Sequence, residues 1–302
     1  MIQDFPRFGR IELSDRDFVE SHTSKYFPYS DFNFTSLWVF DTRGEFLGSS
    51  LNDNLAVLFK DYNSDQEFYS FLGDNQVEET AEALFELSRH RGIKRVLRYI
   101  PESNLQDRDF NSLIVLEDRD NFDYILSIDS TIALLGKKYA KFRKDLNRFN
   151  SIHGRSLDSR ILELGDQKVR NELLDFFGVW LKSKDAELNI YQKEYRAVQR
   201  FFEIGDSPEY ISFGVYKGNN LIGFTVAELL PGENALSHFT FCDNRYRGLT
   251  YYTLHKLCSQ LKYEKVMWLN YEQDCGVNGL RMFKQTLNPA AYLRKYRVTE
   301  RG

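Results

Sequence analysis

The stretch ISFGVYKGNNLIGFTVAELLPGENALSHFTFCDNRYRGLTYYTLHKL, residues 211 to 257, sets the reading of the whole chain. Ile211 to Val215 and Leu221 to Leu229 are β-branched and aromatic runs joined by Lys217-Gly218-Asn219-Asn220, and that glycine and its asparagines tolerate the positive φ of a tight hairpin. A second turn, Pro231-Gly232-Glu233-Asn234, returns the chain as Ala235 to Phe241. The spacing predicts a three-stranded meander.

A helix follows the polar run with its single glycine, because Tyr251, Leu254, Leu257, Cys258 and Leu261 recur at three-and-four spacing. Lys265 to Leu269 reads as a strand and Tyr271 to Cys275 as a polar loop. Gly276 to Leu287 reads as a helix burying Val277, Leu280, Phe283 and Leu287, stopped by Asn288-Pro289. A meander that delivers its last strand to a helix amino end is similar to the Gcn5-related N-acetyltransferase outline, which is a statement about fold.

At 302 residues the chain is long enough for two cores, and 42% hydrophobic content can fill them. No run approaches the roughly 20 apolar residues of a membrane helix. The opening MIQDFPRFGR lacks a signal peptide's apolar centre, so a cytoplasmic location is expected. Cys242, Cys258 and Cys275 have no paired spacing, which predicts reduced thiols, no disulfide framework and no metal site. A formal charge of −4 excludes nucleic-acid binding by bulk charge, so such a partner must meet a local basic patch.

Along the first half, residues 12 to 27 read as a helix and YSDFNFTSLWVF, residues 29 to 40, as a turn running into an aromatic strand. Asp41 to Gly44 reads as a hairpin turn, Phe46 to Ser49 and Leu55 to Phe59 as strands, and Glu67 to Leu72 as a helical stretch. Val77 to Arg89 is a helix by its period, and Lys94 to Ile100 and Leu113 to Glu117 are strands. Between the halves, Ile132, Leu135, Tyr139, Phe142, Leu146 and Phe149 form an apolar stripe that Gly136 can split in two. Lys137, Lys141, Lys144 and Arg148 keep the same period roughly 200° away round the helix. A strand at Ser159 to Leu164, helices over 167–182 and 192–202, and a final strand over 291–299 complete the outline.

Three segments together resemble the C-terminal domain of bacterial phosphatidylglycerol lysyltransferases and its relatives: SDFNFTSLWVF (30–40), DYILSIDSTIALLGKKYAKFRKDLNRF (123–149) and NYEQDCGVNGLRMFKQTLNP (270–289). The resemblance implies an α+β, mixed α/β fold of two tandem acetyltransferase-like lobes, expected at 1–128 and 129–302, with the donor site in the second. It implies aminoacyl-tRNA as donor with no other cofactor, and likeness to the Fem-type transferases; it does not imply a lipid acceptor for this chain, and the acceptor is left open as a small molecule or a lipid. The acetyltransferase phosphate signature stands here as Arg245-Tyr246-Arg247-Gly248-Leu249-Thr250, and Thr250 puts a side chain where a pyrophosphate would approach. Acetyl-CoA is therefore the alternative donor.

Aminoacyl transfer needs an acceptor deprotonated, an oxyanion stabilised and a leaving hydroxyl reprotonated. Asp274 and Glu272 are candidate bases, against helix capping for the first and a solvated loop for the second. His238 is a proton relay or a satisfied core histidine. Arg281 and Lys284, a turn apart, suit a phosphate or the terminal adenosine of tRNA, or else are surface cations. Arg245, Arg247, Gly248, Thr250, Tyr251 and Asn270 would line the substrate side, and the sheet must splay open beside Gly248 to admit an ester. Cys275 lacks a Cys-His spacing for a nucleophile. Lys137, Lys138, Lys141, Lys144 and Arg148 are a tRNA track or a solvated helix face. The competing classes are an acyl-CoA-dependent N-acyltransferase and a non-catalytic binding module.

Overall fold

The computed structural model describes residues 1–62, 64–106, 108–184 and 188–301. The chain divides into two compact units: Met1–Asp123 with Gln273–Gly276 and Leu293–Gly302, and Tyr124–Glu272 with Val277–Tyr292.

The first unit opens with β1 (Gln3–Asp4), β2 (Gly9–Arg10), α1 (Arg16–Thr23) and α2 (Phe34–Val39). An antiparallel meander follows, β3 (Leu47–Leu51), β4 (Asn54–Lys60) and β5 (Glu67–Leu72), then α3 (Val77–Arg91), β6 (Leu97–Pro101), α4 (Glu102–Leu105) and β7 (Leu113–Glu117). Asn52 and Asp53, at φ 53° and 59°, turn β3 into β4 as the left-handed region favours. Phe32, Phe34 and Leu37 pack with Phe59 and Phe68 in one core, while Leu84 and Phe85 of α3 pack with Tyr69 and Phe71 in another.

Three expectations change here. The aromatic run before Phe40 is helical, because Asn33 accepts a hydrogen bond from Ser36 N at 3.0 Å and so caps α2. All six residues of that helix are buried, so packing on every side overrides their strand propensity. Glu67 to Leu72 is a strand rather than a helix; Phe68 and Leu72 enter one core and Tyr69 and Phe71 the other, a period of two. The turn at Asp41 to Gly44 joins α2 to β3 rather than two strands.

The second unit contains β8 (Asp123–Ser127), α5 (Ile128–Ala133), α6 (Ala140–His153), β9 (Leu157–Ile161), α7 (Gln167–Lys184) and α8 (Leu188–Ile204). Then come β10 (Tyr210–Lys217), β11 (Asn220–Leu230), β12 (Asn234–Cys242), α9 (Leu249–Tyr263), β13 (Trp268–Asn270), α10 (Asn278–Thr286) and β14 (Ala291–Leu293). Its sheet has the order β14-β8-β13-β12-β11-β10-β9. Phe142, Leu146 and Phe149 of α6 pack with Leu254 and Leu257 of α9 on one face, and Phe177 and Trp180 of α7 meet Phe241 on the other.

Gly136, at φ 82°, interrupts the stripe between α5 and α6. The chain after Pro289 makes two short strands where one was expected: β14, and β15 (Lys295–Glu300), which lies between β6 and β7 in a three-stranded sheet of the first unit. The burial pattern of α10 also departs from its sequence period. Val277 and Met282 are 51% and 69% exposed, while Lys284 is buried.

Candidate functional site

The antiparallel meander β10–β11–β12 ends in the parallel pair β12–β13, with α9 between them in sequence, and this is the acetyltransferase-like topology the sequence predicts. The parallel pairing covers only Asn234–Leu236 against Trp268–Asn270. Beyond it β12 runs on to Cys242 while β13 ends at Asn270, and the pairing stops.

From the loop and helix after β13, Tyr271 reaches Thr240 of β12, and Lys284 lies against Tyr271 and Tyr124. Tyr271 is buried, its hydroxyl hydrogen-bonds with Thr240 of β12, and burial pushes its pKa up. Lys284 donates from Nζ to the Tyr271 carbonyl at 2.6 Å, with Nζ 5.3 Å from the Tyr271 ring centre and 5.8 Å from that of Tyr124. Buried Asn270 accepts from Glu272 N at 2.8 Å through Oδ1, holding Glu272 at φ 54°. The Tyr251 hydroxyl meets Thr286 Oγ1 at 2.7 Å. Arg281 is half-buried one turn before Lys284. A buried ammonium, a carboxylate and hydroxyls on neighbouring elements are the groups that stabilise an oxyanion and move a proton.

Gly248 itself does not face an opening. At φ 96°, a Cβ there would stand 2.7 Å from Asp145 O and 3.0 Å from Phe149 Cβ, so α6 closes that side. Arg247 reaches Asp145 at 3.6 Å, and Arg245 grips buried Asp243 through Nε at 2.9 Å and Nη2 at 2.6 Å. Thr250 is half-buried in the first turn of α9. An open groove of about 630 Å³ lies elsewhere in this unit, where Ile161, Ile211 and Phe213 of β9 and β10 meet Lys256 and Gln260 of α9.

The remaining predicted residues divide. His238, in β12, pairs with buried Glu228 of β11 through Nε2 at 2.8 Å, an arrangement that satisfies a core histidine. The register there slips so that Phe239 faces Val226 and Ser237 faces Ala227, leaving His238 as the extra residue of a bulge. Asp274 belongs to the first unit, fully buried, with Oδ1 accepting from Gly276 N at 3.0 Å and Oδ2 3.3 Å from Arg119. It caps a turn, and Val277 rather than Asp274 stands at the N-cap of α10. Lys137, Lys138, Lys141, Lys144 and Arg148 are all exposed, with Lys141 3.4 Å from Asp145. None of the three cysteines forms a disulfide, and Cys275 is half-buried.

Sequence reasoning missed a cluster in the first unit. Lys295 is fully buried and its Nζ lies 2.7 Å from Asp123 Oδ1, in contact with Asp31 Oδ2, 3.1 Å from Gln273 Oε1 and 3.2 Å from Ser30 Oγ. Asp123 also accepts from Ser30 Oγ at 2.6 Å and Ser30 N at 2.9 Å. Burial favours a neutral lysine, but the two carboxylates outweigh it and raise the Lys295 pKa. The only sequence signal was a lysine amid the alternation of YLRKYRV, residues 292 to 298.

The family model described as phosphatidylglycerol lysyltransferase, C-terminal, matches residues 26–299. The chain belongs to this family. No curated protein sequence matches significantly. Among solved structures, a conserved protein of unknown function from Bacteroides thetaiotaomicron VPI-5482 is 21% identical over 100% of both chains, with a TM-score of 0.80. L-PGS from Bacillus licheniformis is 13% identical over 96% of this chain and 92% of its own, with a TM-score of 0.59. At these identities the likeness establishes a common fold. Among the described residues no helix is long and apolar enough to cross a membrane.

Proposed function

We propose that this chain transfers an aminoacyl group from aminoacyl-tRNA to an amine or hydroxyl acceptor, a lipid or a smaller molecule. The observation that carries the reading is the family match over nearly the whole length, from residue 26 to 299. The exposed basic face of α6 supports a polyanionic donor: residues 137 to 155 hold seven Lys or Arg and one acid, in a chain of net charge −4.

In this reading the acceptor's nucleophile attacks the ester carbonyl, and the ribose hydroxyl departs. Glu272 takes the acceptor's proton and returns it to the leaving oxygen. Lys284, fixed against the Tyr271 carbonyl, stabilises the oxyanion. Arg281 serves the terminal phosphate or adenosine. The full burial of Asp274 beside Arg119 and the pairing of His238 with buried Glu228 favour structural duties for both.

The test is release of labelled amino acid from charged tRNA into an acceptor. Glu272→Gln should slow turnover by about 10²-fold or more, and Lys284→Met by roughly 10²-fold. The acetyltransferase-like topology of β10 to β13 favours acetyl-CoA as a second reading. Calorimetry decides it: micromolar acetyl-CoA binding would replace the tRNA donor with an acyl-CoA.

A further inference from the structure

Among the described residues β9 ends the seven-stranded sheet and pairs with β10 alone. Leu162 N donates to Ser212 O at 3.3 Å, and the register sets Ile161 opposite Phe213, Ser159 opposite Val215 and Leu157 opposite Lys217. In an antiparallel ladder hydrogen-bonded and non-bonded pairs alternate. Leu157, Ser159 and Ile161 therefore direct their backbone N–H and C=O groups away from β10, toward the open edge. Ile161 is 77% exposed.

Edge strands usually carry features that discourage pairing. β9 reads Leu157-Asp158-Ser159-Arg160-Ile161 and is instead complementary to its own reverse. Aligned antiparallel with a second copy about Ser159, it sets Leu157 against Ile161, Asp158 against Arg160 and Ser159 against itself. The three residues with outward backbone groups meet their counterparts as hydrogen-bonded pairs. At present Asp158 and Arg160 pair along their own strand at 2.7 Å, at 57% and 49% exposure, so the cross-strand exchange creates no unpaired charge. The edge strand β7 of the first unit lacks this property: the same operation about Val115 sets Leu113 against Glu117.

We propose that two copies of this chain associate through β9, antiparallel and centred on Ser159, forming a two-fold dimer with one continuous sheet. An isologous contact closes on itself, so it yields a dimer and not a filament. The proposal is independent of the transferase reading.

Light scattering during size exclusion, across a concentration series, tests it. The wild type should move from 35.6 kDa toward twice that mass as concentration rises. Ser159→Pro removes an N–H that points away from β10, a place where an edge strand accepts proline, together with an exposed 3.3 Å contact of its hydroxyl with Tyr252, and should stay monomeric and folded with at most a small drop in melting temperature. Asp158→Arg sets like charges across the axis and should weaken association by about tenfold, and adding Arg160→Asp should restore it. The swap needs no proline, so it stands even if Ser159→Pro does not fold. A wild type that stays monomeric throughout, a dimer indifferent to Ser159→Pro, or a double swap that fails to restore association would overturn the proposal.

Discussion

Lys295→Met probes the buried ion cluster of the first unit. The substitution keeps an unbranched chain of similar volume and removes the ammonium that Asp31 and Asp123 share. Two carboxylates then stay buried without their cation, which costs about 3–5 kcal/mol for a buried pair broken from one side. For a chain of 302 residues that lowers the melting temperature by roughly 5–8 °C. Trp38 is the tryptophan of the first unit, so its fluorescence in a Trp180→Phe/Trp268→Phe background reports that unit's urea unfolding.

The pH dependence gives the loss its sign. Burial, with Asp123 beside it, already holds Asp31 above its ordinary 3.8, while Lys295 pulls it back. Removing Lys295 removes the pull, so the folded carboxyl rises further while the unfolded value stays. Between the two values the folded state binds more protons, and stability falls as pH rises through that window. The variant's deficit should therefore be smallest at acid pH. Adding Asp31→Asn and Asp123→Asn should recover part of the loss at neutral pH. A loss under about 1 kcal/mol, or one that does not change with pH, would refute the reasoning.

Gly248→Ala meets both a positive φ and the Asp145 carbonyl 2.7 Å away, and should cost about 1–3 kcal/mol in denaturant unfolding. Asn33→Ala removes the cap of α2 and should cost about 1 kcal/mol by the same assay. Lys141→Glu with Lys144→Glu should weaken tRNA binding and reduce the slope of log affinity against log salt by about 2. An unchanged tRNA affinity would count against the basic face of α6.

The second unit was legible where turn chemistry and periodicity agree. Gly218 and Gly232 punctuate the meander at positive φ, and the three-and-four spacing of α9 survives as its buried face. The first unit was misread where side chains are buried on nearly every side. Residues 34 to 39 and 67 to 72 are both short and aromatic-rich, and composition alone could not separate a capped helix from a two-faced strand. In α10 the apolar period pointed to Val277, whereas the buried position belongs to Lys284, held by a carbonyl from another segment. The Lys295 cluster draws on residues 30, 31, 123, 273 and 295, and no local pattern links positions so far apart.

The most direct measurement of the central claim is single-turnover incubation of the purified chain with tRNA charged by a labelled amino acid, with lipid and amine acceptors offered separately. The account predicts label in an acceptor, lost in Glu272→Gln and reduced in Lys284→Met. Label that stays on tRNA with every acceptor, or transfer unaffected by both substitutions, would contradict it.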